Sequence, residues 1–249
     1  MMLTNGNYDD EIESIRHHNV WKLIPQSEVP AGRCILGCCT VFLQKRDENN
    51  NVSHHKTRIV AKGFSQIEGI DYKETFTPVA HLESVRAVLS LAASMDWEIN
   101  QFDVKTAFLH GELTEDIYME QPEGQNEKGK EAWVCKLQKS SYGLKQAGRC
   151  WYTRLYDEMH KAGFTRASVD HSIFVKNDKY GSAMVTVHVD DMAAAADNVT
   201  TLQHTLKMLQ MIINWLTWDQ SNGSLECMFP EIARHGRYPY PRMLTLTLS

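Results

Sequence analysis

The chain has 249 residues, 43% hydrophobic and 23% charged, and carries a net charge of −5. That length supports one large core or two small ones, and the composition is that of a globular protein. Net acidity excludes a protein that coats nucleic acid indiscriminately, and no apolar run approaches the roughly 18 residues that span a bilayer.

The N-terminal stretch 1–14 is polar and acidic and is expected to be a disordered tail. It lacks the basic-then-apolar order of a secretory leader. With its six cysteines expected as reduced thiols, the chain is placed inside the cell, in cytoplasm or nucleus, with no membrane partner. Cys34-x3-Cys38 followed by His54-His55 sketches a zinc site, but the spacing is looser than that of a finger. Short apolar runs from Trp21 to Phe64 predict a β-rich lobe. Its strands lie near 36–44 and 56–62, joined by the turn Asp47-Glu48-Asn49-Asn50-Asn51.

Val85, Val88, Leu89 and Ala92 recur at helical spacing, which predicts a helix over 83–95. Residues 97–104 predict a strand with Trp97, Ile99, Gln101 and Asp103 on one face. A turn or short helix at 106–113, a loop at 120–130 and a short strand at 133–137 follow. Ala147, Trp151, Leu155 and Met159 line one face of a helix over 145–162, stopped by Gly163. Val185, Val187 and Val189 alternate with Thr186, His188 and Asp190 along a strand over 184–189, and Asp190-Asp191 reads as a hairpin tip. Leu202, Leu206, Leu209 and Ile213 are in phase on a last helix. Both element types without regular βαβ alternation point to an α+β fold.

Charge is unevenly spread. Residues 42–66 and 136–166 are basic and residues 111–132 are acidic. Such blocks suit a backbone-binding channel beside a cation site, or ordinary solvated faces. Two predicted strands end in carboxylates. If the 97–104 strand pairs with the 185–190 strand, Asp103 meets Asp190-Asp191 at one sheet end. Clustered carboxylates repel and call for cations, and oxygen-only ligands suit Mg²⁺ or Mn²⁺. Two such ions about 4 Å apart are the arrangement for in-line phosphoryl transfer. No GxxxxGK[ST], GxSxG or HExxH motif competes with this chemistry.

Several stretches, in order, resemble the reverse transcriptase of copia-type LTR retrotransposons. They are Asn19-Val20-Trp21-Lys22-Leu23-Ile24-Pro25; Lys56 to Gln66, KTRIVAKGFSQ; Gly69 to Val79, GIDYKETFTPV; Asp103 to Gly111, DVKTAFLHG; Tyr118 to Gly124, YMEQPEG; Tyr142 to Arg149, YGLKQAGR; and Val189-Asp190-Asp191. The resemblance covers roughly 15–209. It implies a fingers–palm body of right-hand polymerase architecture, without a complete thumb in this chain. It also implies RNA-directed DNA synthesis with two Mg²⁺ or Mn²⁺ ions, a dNTP substrate, and a primer on an RNA or DNA template. Asp103, Asp190 and Asp191 become the metal-binding triad. Asp103 and Asp190 are the main ligands and Asp191 is secondary, on the expectation that adjacent strand residues point to opposite faces.

The resemblance further implies that Phe108 sits under the incoming sugar, Lys56 or Arg58 holds the triphosphate, and Gln146 touches the nucleotide or template. Lys145, Arg149 and Arg154 are candidates for the nucleic-acid backbone. His188 stands where the family has Tyr, and Cys39-Thr40-Val41-Phe42 replaces Lys-Trp-Val-Phe. Residues 210–249 are expected to be a divergent tail, the product of a shifted reading frame or of a junction in a decaying element. Polyprotein partners such as integrase and RNase H are not recognisable. The alternative function is an inactive, truncated remnant that at most binds nucleic acid.

Overall fold

The computed structural model describes residues 5–46, 50–125 and 127–212. Part of the expected turn at 47–51 and nearly all of the expected divergent tail, from 213 on, lie outside the described residues. In chain order the elements are α1 (Asn5–His17), β1 (Trp21–Pro25), β2 (Ile35–Leu36), β3 (Cys38–Arg46), β4 (Val52–Ala61), α2 (Leu82–Ser94) and β5 (Glu98–Asp103). Then come β6 (Glu112–Met119), β7 (Trp133–Lys139), α3 (Ala147–Lys161), β8 (Thr165–Arg166), β9 (Ile173–Asp178), β10 (Gly181–His188), β11 (Asp191–Ala196) and α4 (Val199–Ile212). Helix and sheet are mixed without βαβ alternation, as the element pattern predicts. Among the described residues no helix is long and apolar enough to cross a membrane.

The chain divides into two compact units. Among the described residues, the first is built from those between 5 and 76 and between 108 and 154, the second from Thr77–Ala107 and 155–212.

In the first unit β1, β7, β6 and β2 form one sheet and β3–β4 form a long antiparallel hairpin. Leu36, Ile117, Met119, Cys135, Leu137, Leu144 and Ala147 make its main core. The supposed disordered tail is instead helical from Asn5 to His17. Tyr8, Ile12 and Ile15 fall at i, i+4 and i+7, and this stripe packs on Val20, Ile59, Leu109 and Tyr142. The acidic residues that gave the stretch its solvated look are mostly on the outer face. Glu11 is the exception: buried, it accepts a hydrogen bond from the Ile59 N–H at 3.4 Å, and burial pushes its carboxyl up.

Two glycines fix how the KGFSQ and YGLKQ stretches meet. A side chain on Gly63 would run into the Gly143 carbonyl, and one on Gly143 into the Ala61 carbonyl. Gly143 also has φ +86°, and the Ala61 N–H donates to the Tyr142 carbonyl at 2.8 Å. Only glycine allows backbones this close at that dihedral.

In the second unit five strands pair in the order β5-β11-β10-β9-β8. Strand 97–104 pairs with the far arm of the hairpin, Asp191–Ala196, and not with 185–190 as expected. The near arm is instead sandwiched between β11 and β9, so the valine-rich run is an interior strand. Helix α2 covers one end of a sheet face, with Val88 and Ala92 on Ile99, Met184 and Ala195. Helix α4, whose Leu202, Leu206 and Leu209 are buried, also packs on this sheet.

Candidate functional site

The second unit brings the three aspartates to one end of its sheet. Register sets Asp191 opposite Asp103, and His188 opposite Asp191 on the other side. The Val104 N–H donates to the Asp190 carbonyl at 2.8 Å, which marks 104/190 as a hydrogen-bonded pair. Pairs alternate along an antiparallel ladder, so Asp103 and Asp191 occupy a non-hydrogen-bonded position. There the Cα atoms stand about 4.5 Å apart and side chains share one face. All three aspartates are half-buried.

This geometry corrects the face assignment made from sequence. The strand ends at His188, and Val189-Asp190 is a two-residue turn into Asp191. Asp190 therefore is not a strand neighbour of Asp191, and Asp191 is the residue facing Asp103. The turn is strained: Val189 has φ +62°, a region that a β-branched residue adopts at a cost of roughly 1–3 kcal/mol. Two-residue hairpin loops favour positive φ at this position and place glycine there where nothing else intervenes. A strained valine beside two carboxylates is the kind of outlier that collects at working sites.

Among the described residues no three His, Cys, Asp or Glu side chains stand together as a ready-made metal cage. The sketched zinc site at Cys34, Cys38 and His54-His55 includes the His54 side chain, which lies outside the described residues. Mg²⁺ is usually held by one or two carboxylates and completes its octahedron with water and substrate phosphate. A facing Asp103–Asp191 pair with Asp190 in the adjoining turn is a donor set of that kind.

The first unit holds the other sequence-nominated residues, and it treats them differently. Lys56 and Arg58 lie on β4 and share a half-buried face, alternating with buried Thr57 and Ile59. Arg58 stacks its guanidinium 5.1 Å from the Tyr142 ring centre, and its buried Nε has no hydrogen-bond partner. Phe108 is half-buried and meets Tyr142 edge-on at 5.7 Å.

Gln146 is fully buried, so it is not presented to a nucleotide or template in this structure. Its Nε2 donates to the Asp71 carbonyl at 2.8 Å and its Oε1 accepts from Gln66 Nε2 at 3.0 Å. Gln66 Oε1 in turn accepts from the Lys145 N–H at 2.8 Å. The amide network ties three of the recognisable stretches, 56–66, 69–79 and 142–149, to one another. Nothing in local sequence spacing announces it, because its partners are 75–80 residues apart.

The backbone-binding candidates are held by local partners. Lys145 Nζ lies 3.3 Å from the Gln66 carbonyl and 3.2 Å from the Tyr72 hydroxyl. Arg149 is 3.7 Å from Glu115 and 4.0 Å from Glu74, and Arg154 is 3.6 Å from Glu112. Lys136 and Asp116 pair at 2.6 Å, which raises the lysine and lowers the aspartic acid from their ordinary values. The basic 136–166 block and the acidic 111–132 block thus neutralise each other in part, rather than forming separate channel and cation walls.

Sequence reasoning missed Asp170. Buried in the second unit, it accepts bonds from the Ser172 and His81 N–H groups and anchors the start of α2. It also placed Gln101 on the face of Asp103 without giving it a role.

The sequence matches the family described as reverse transcriptase (RNA-dependent DNA polymerase) over residues 18–216. The match runs past 209, where the resemblance was expected to stop. Over 184 residues, 74% of this chain, the sequence is 45% identical to a retrovirus-related Pol polyprotein from transposon TNT 1-94 of Nicotiana tabacum. It is 40% identical over 80% of its length to the corresponding polyprotein from transposon RE1 of Arabidopsis thaliana. The matched regions are 14% and 13% of those polyproteins, so the chain spans about one seventh of their length. A foamy-virus protease–reverse transcriptase in complex with double-stranded DNA aligns over 86% of this chain and 29% of that one. Its TM-score of 0.35 and 11% identity make it too remote to argue from.

Proposed function

We propose, from the premise that this chain belongs to the copia-type reverse transcriptase family, that it performs two-cation nucleotidyl transfer from a dNTP to a primer 3′-hydroxyl. One observation carries the proposal. Asp103 and Asp191 face each other across neighbouring strands at the sheet end where a strained turn presents Asp190. Asp103, Asp190 and Asp191 would hold two Mg²⁺ or Mn²⁺ ions. Bound there, the cations would acidify the primer hydroxyl and neutralise charge on the leaving pyrophosphate.

The chain's own contribution is position. The strand pair fixes Asp103 against Asp191, and the Val104–Asp190 hydrogen bond fixes the turn. Lys56 and Arg58 are proposed for the triphosphate, Phe108 for discrimination against a ribose 2′-hydroxyl, and Lys145, Arg149 and Arg154 for the template–primer backbone. Backbone contacts of that kind set register without reading sequence.

The test is primer extension on poly(rA)–oligo(dT) with Mg²⁺ or Mn²⁺, comparing the native chain with Asp103→Asn and Asp190→Asn. Cation-dependent extension lost in both variants supports the proposal. No extension by the native chain, or extension unaffected by Asp103→Asn, overturns it for this chain.

A further inference from the structure

The face that carries Asp103 and Asp191 is ordered in rows across three strands. The end row is Asp103, Asp191 and His188; the next is Gln101, Ala193 and Thr186; the third is Ile99, Ala195 and Met184. The third row is sealed under Val88 and Ala92 of α2. The middle row is neither apolar like the third nor solvated. Thr186 is buried and its hydroxyl donates to the Ala193 carbonyl at 3.4 Å. Gln101 Oε1 is buried and has no hydrogen-bond partner. Buried acceptors are almost always paired, so one left open on this face calls for a donor.

Gln101 and Asp103 are two residues apart on one strand and lie in neighbouring rows of the same face, with Cα atoms roughly 6.5–7 Å apart. The open acceptor therefore sits beside a carboxylate that would hold a cation, and a water on that cation is a donor of the required kind.

We propose that Gln101 is a positioning residue for the cation site: its Oε1 accepts a hydrogen bond from a water on the cation that Asp103 holds. A cation-bound water is a strong donor, and outer partners of this kind orient the inner ligands and tune affinity. This rests on the two-cation reading above, and the experiment separates the two.

Mn²⁺ binding to the purified full chain, without nucleic acid, is measured by electron paramagnetic resonance titration, with melting temperature recorded in parallel. Gln101→Met keeps length and removes the acceptor; Gln101→Glu keeps an acceptor oxygen. The expected result is Mn²⁺ affinity about 10–100-fold weaker in Gln101→Met, with the melting temperature unchanged or higher, and affinity restored or exceeded in Gln101→Glu. Unchanged affinity in Gln101→Met, or a Gln101→Met chain that melts early or does not fold, overturns the inference and makes Gln101 structural. If the native chain binds Mn²⁺, Asp103→Asn loses it and Gln101→Met keeps it, only the inference falls. If the native chain binds no Mn²⁺, or Asp103→Asn binds it equally, the cation reading falls and takes the inference with it.

Discussion

The two units use their most recognisable residues in opposite ways. In the first, Gly63, Gln66, Gly143 and Gln146 are committed to each other, through backbone approach and a buried amide network. In the second, Asp103 ends a strand, Asp191 begins one and Asp190 lies in the turn between, all at a half-buried sheet end, and Asp190 follows a turn residue in a costly conformation. A conspicuous sequence stretch is therefore no guide to whether its residues build or react. What separates the two is where their polar atoms go.

The sharpest way to break that contrast is to exchange the readouts. Asp103→Asn removes one charge from the carboxylate row and leaves the fold's core untouched. Primer extension is expected to fall by about a thousandfold or more, with the melting temperature unchanged or raised as like-charge repulsion is relieved. If Asp103→Asn unfolds the chain while extension per folded molecule persists, the second unit's aspartates are structural and the contrast collapses. Gln146→Ala should do the reverse. It strands the Gln66 amide and the Asp71 carbonyl in the core, and unfolding in urea should show a loss of about 2–3 kcal/mol. A loss below about 0.5 kcal/mol would return Gln146 to the nucleotide-contact role that the resemblance implies.

Within the second unit, Asp170 tests whether polar groups there are structural as well. Burial alone would push its carboxyl up. Hydrogen bonds from the Ser172 hydroxyl and N–H, the Ser84 hydroxyl and the His81 N–H outweigh that and hold it at about 2. A folded-state pKa below the ordinary 3.8 means that its stabilisation is fully present above pH 4 and is lost as pH falls toward 2. The size is about 2 kcal/mol, at 1.36 kcal/mol per pKa unit. The difference in unfolding free energy between native chain and Asp170→Ala, measured from pH 6 down to pH 2, should shrink over that window. A difference independent of pH would sink the assignment.

Val189→Gly probes the turn. Relief of the left-handed valine, set against glycine's entropy cost, should raise stability by up to about 1 kcal/mol. Extension should fall nonetheless, because the turn that fixes Asp190 loosens. Stability and activity rising together would mean that the strain has no function.

Much of this was legible in sequence, and the failures share a cause. The helices at 82–94, 147–161 and 199–212 follow directly from apolar periodicity. So does the hairpin after Val187, since valines at period two admit little else. Helix α1 was hidden because its stripe, Tyr8, Ile12 and Ile15, is short and surrounded by acids; a stripe that narrow is stable only against a tertiary partner. The hairpin's tip was misplaced by one residue because the turn uses valine, a residue that turn rules do not offer at positive φ. The Gln66–Gln146 and His81–Asp170 bonds span 80 and 89 residues, beyond any local rule. The three aspartates were found because each follows a strand-like run. Which of them faces which was not, since that depends on β5 choosing the far arm of the hairpin.

The smallest effect bears on the first unit's cations, and it decides whether that unit only builds. Arg149 and Arg154 pair with Glu115 and Glu112 at 3.7 and 3.6 Å. The Arg154–Glu112 pair is at the surface, where such pairs contribute about 0–1 kcal/mol, so it holds the arginine loosely and a phosphate can displace the glutamate, whereas Glu115 is largely buried against Arg149. If the arginines serve the nucleic-acid backbone, Glu112→Gln should tighten binding to a primer–template a few-fold at low salt by removing a competing anion, with stability changed by less than about 1 kcal/mol. Arg154→Ala should weaken binding on all sequences alike and lower the slope of log affinity against log salt by about one. Fluorescence anisotropy titrations at two or more salt concentrations give both numbers. A Glu112→Gln chain that binds no tighter, together with an Arg154→Ala chain whose salt slope is unchanged, would leave the basic helix face as the partner of its own acidic block, and the first unit as scaffold.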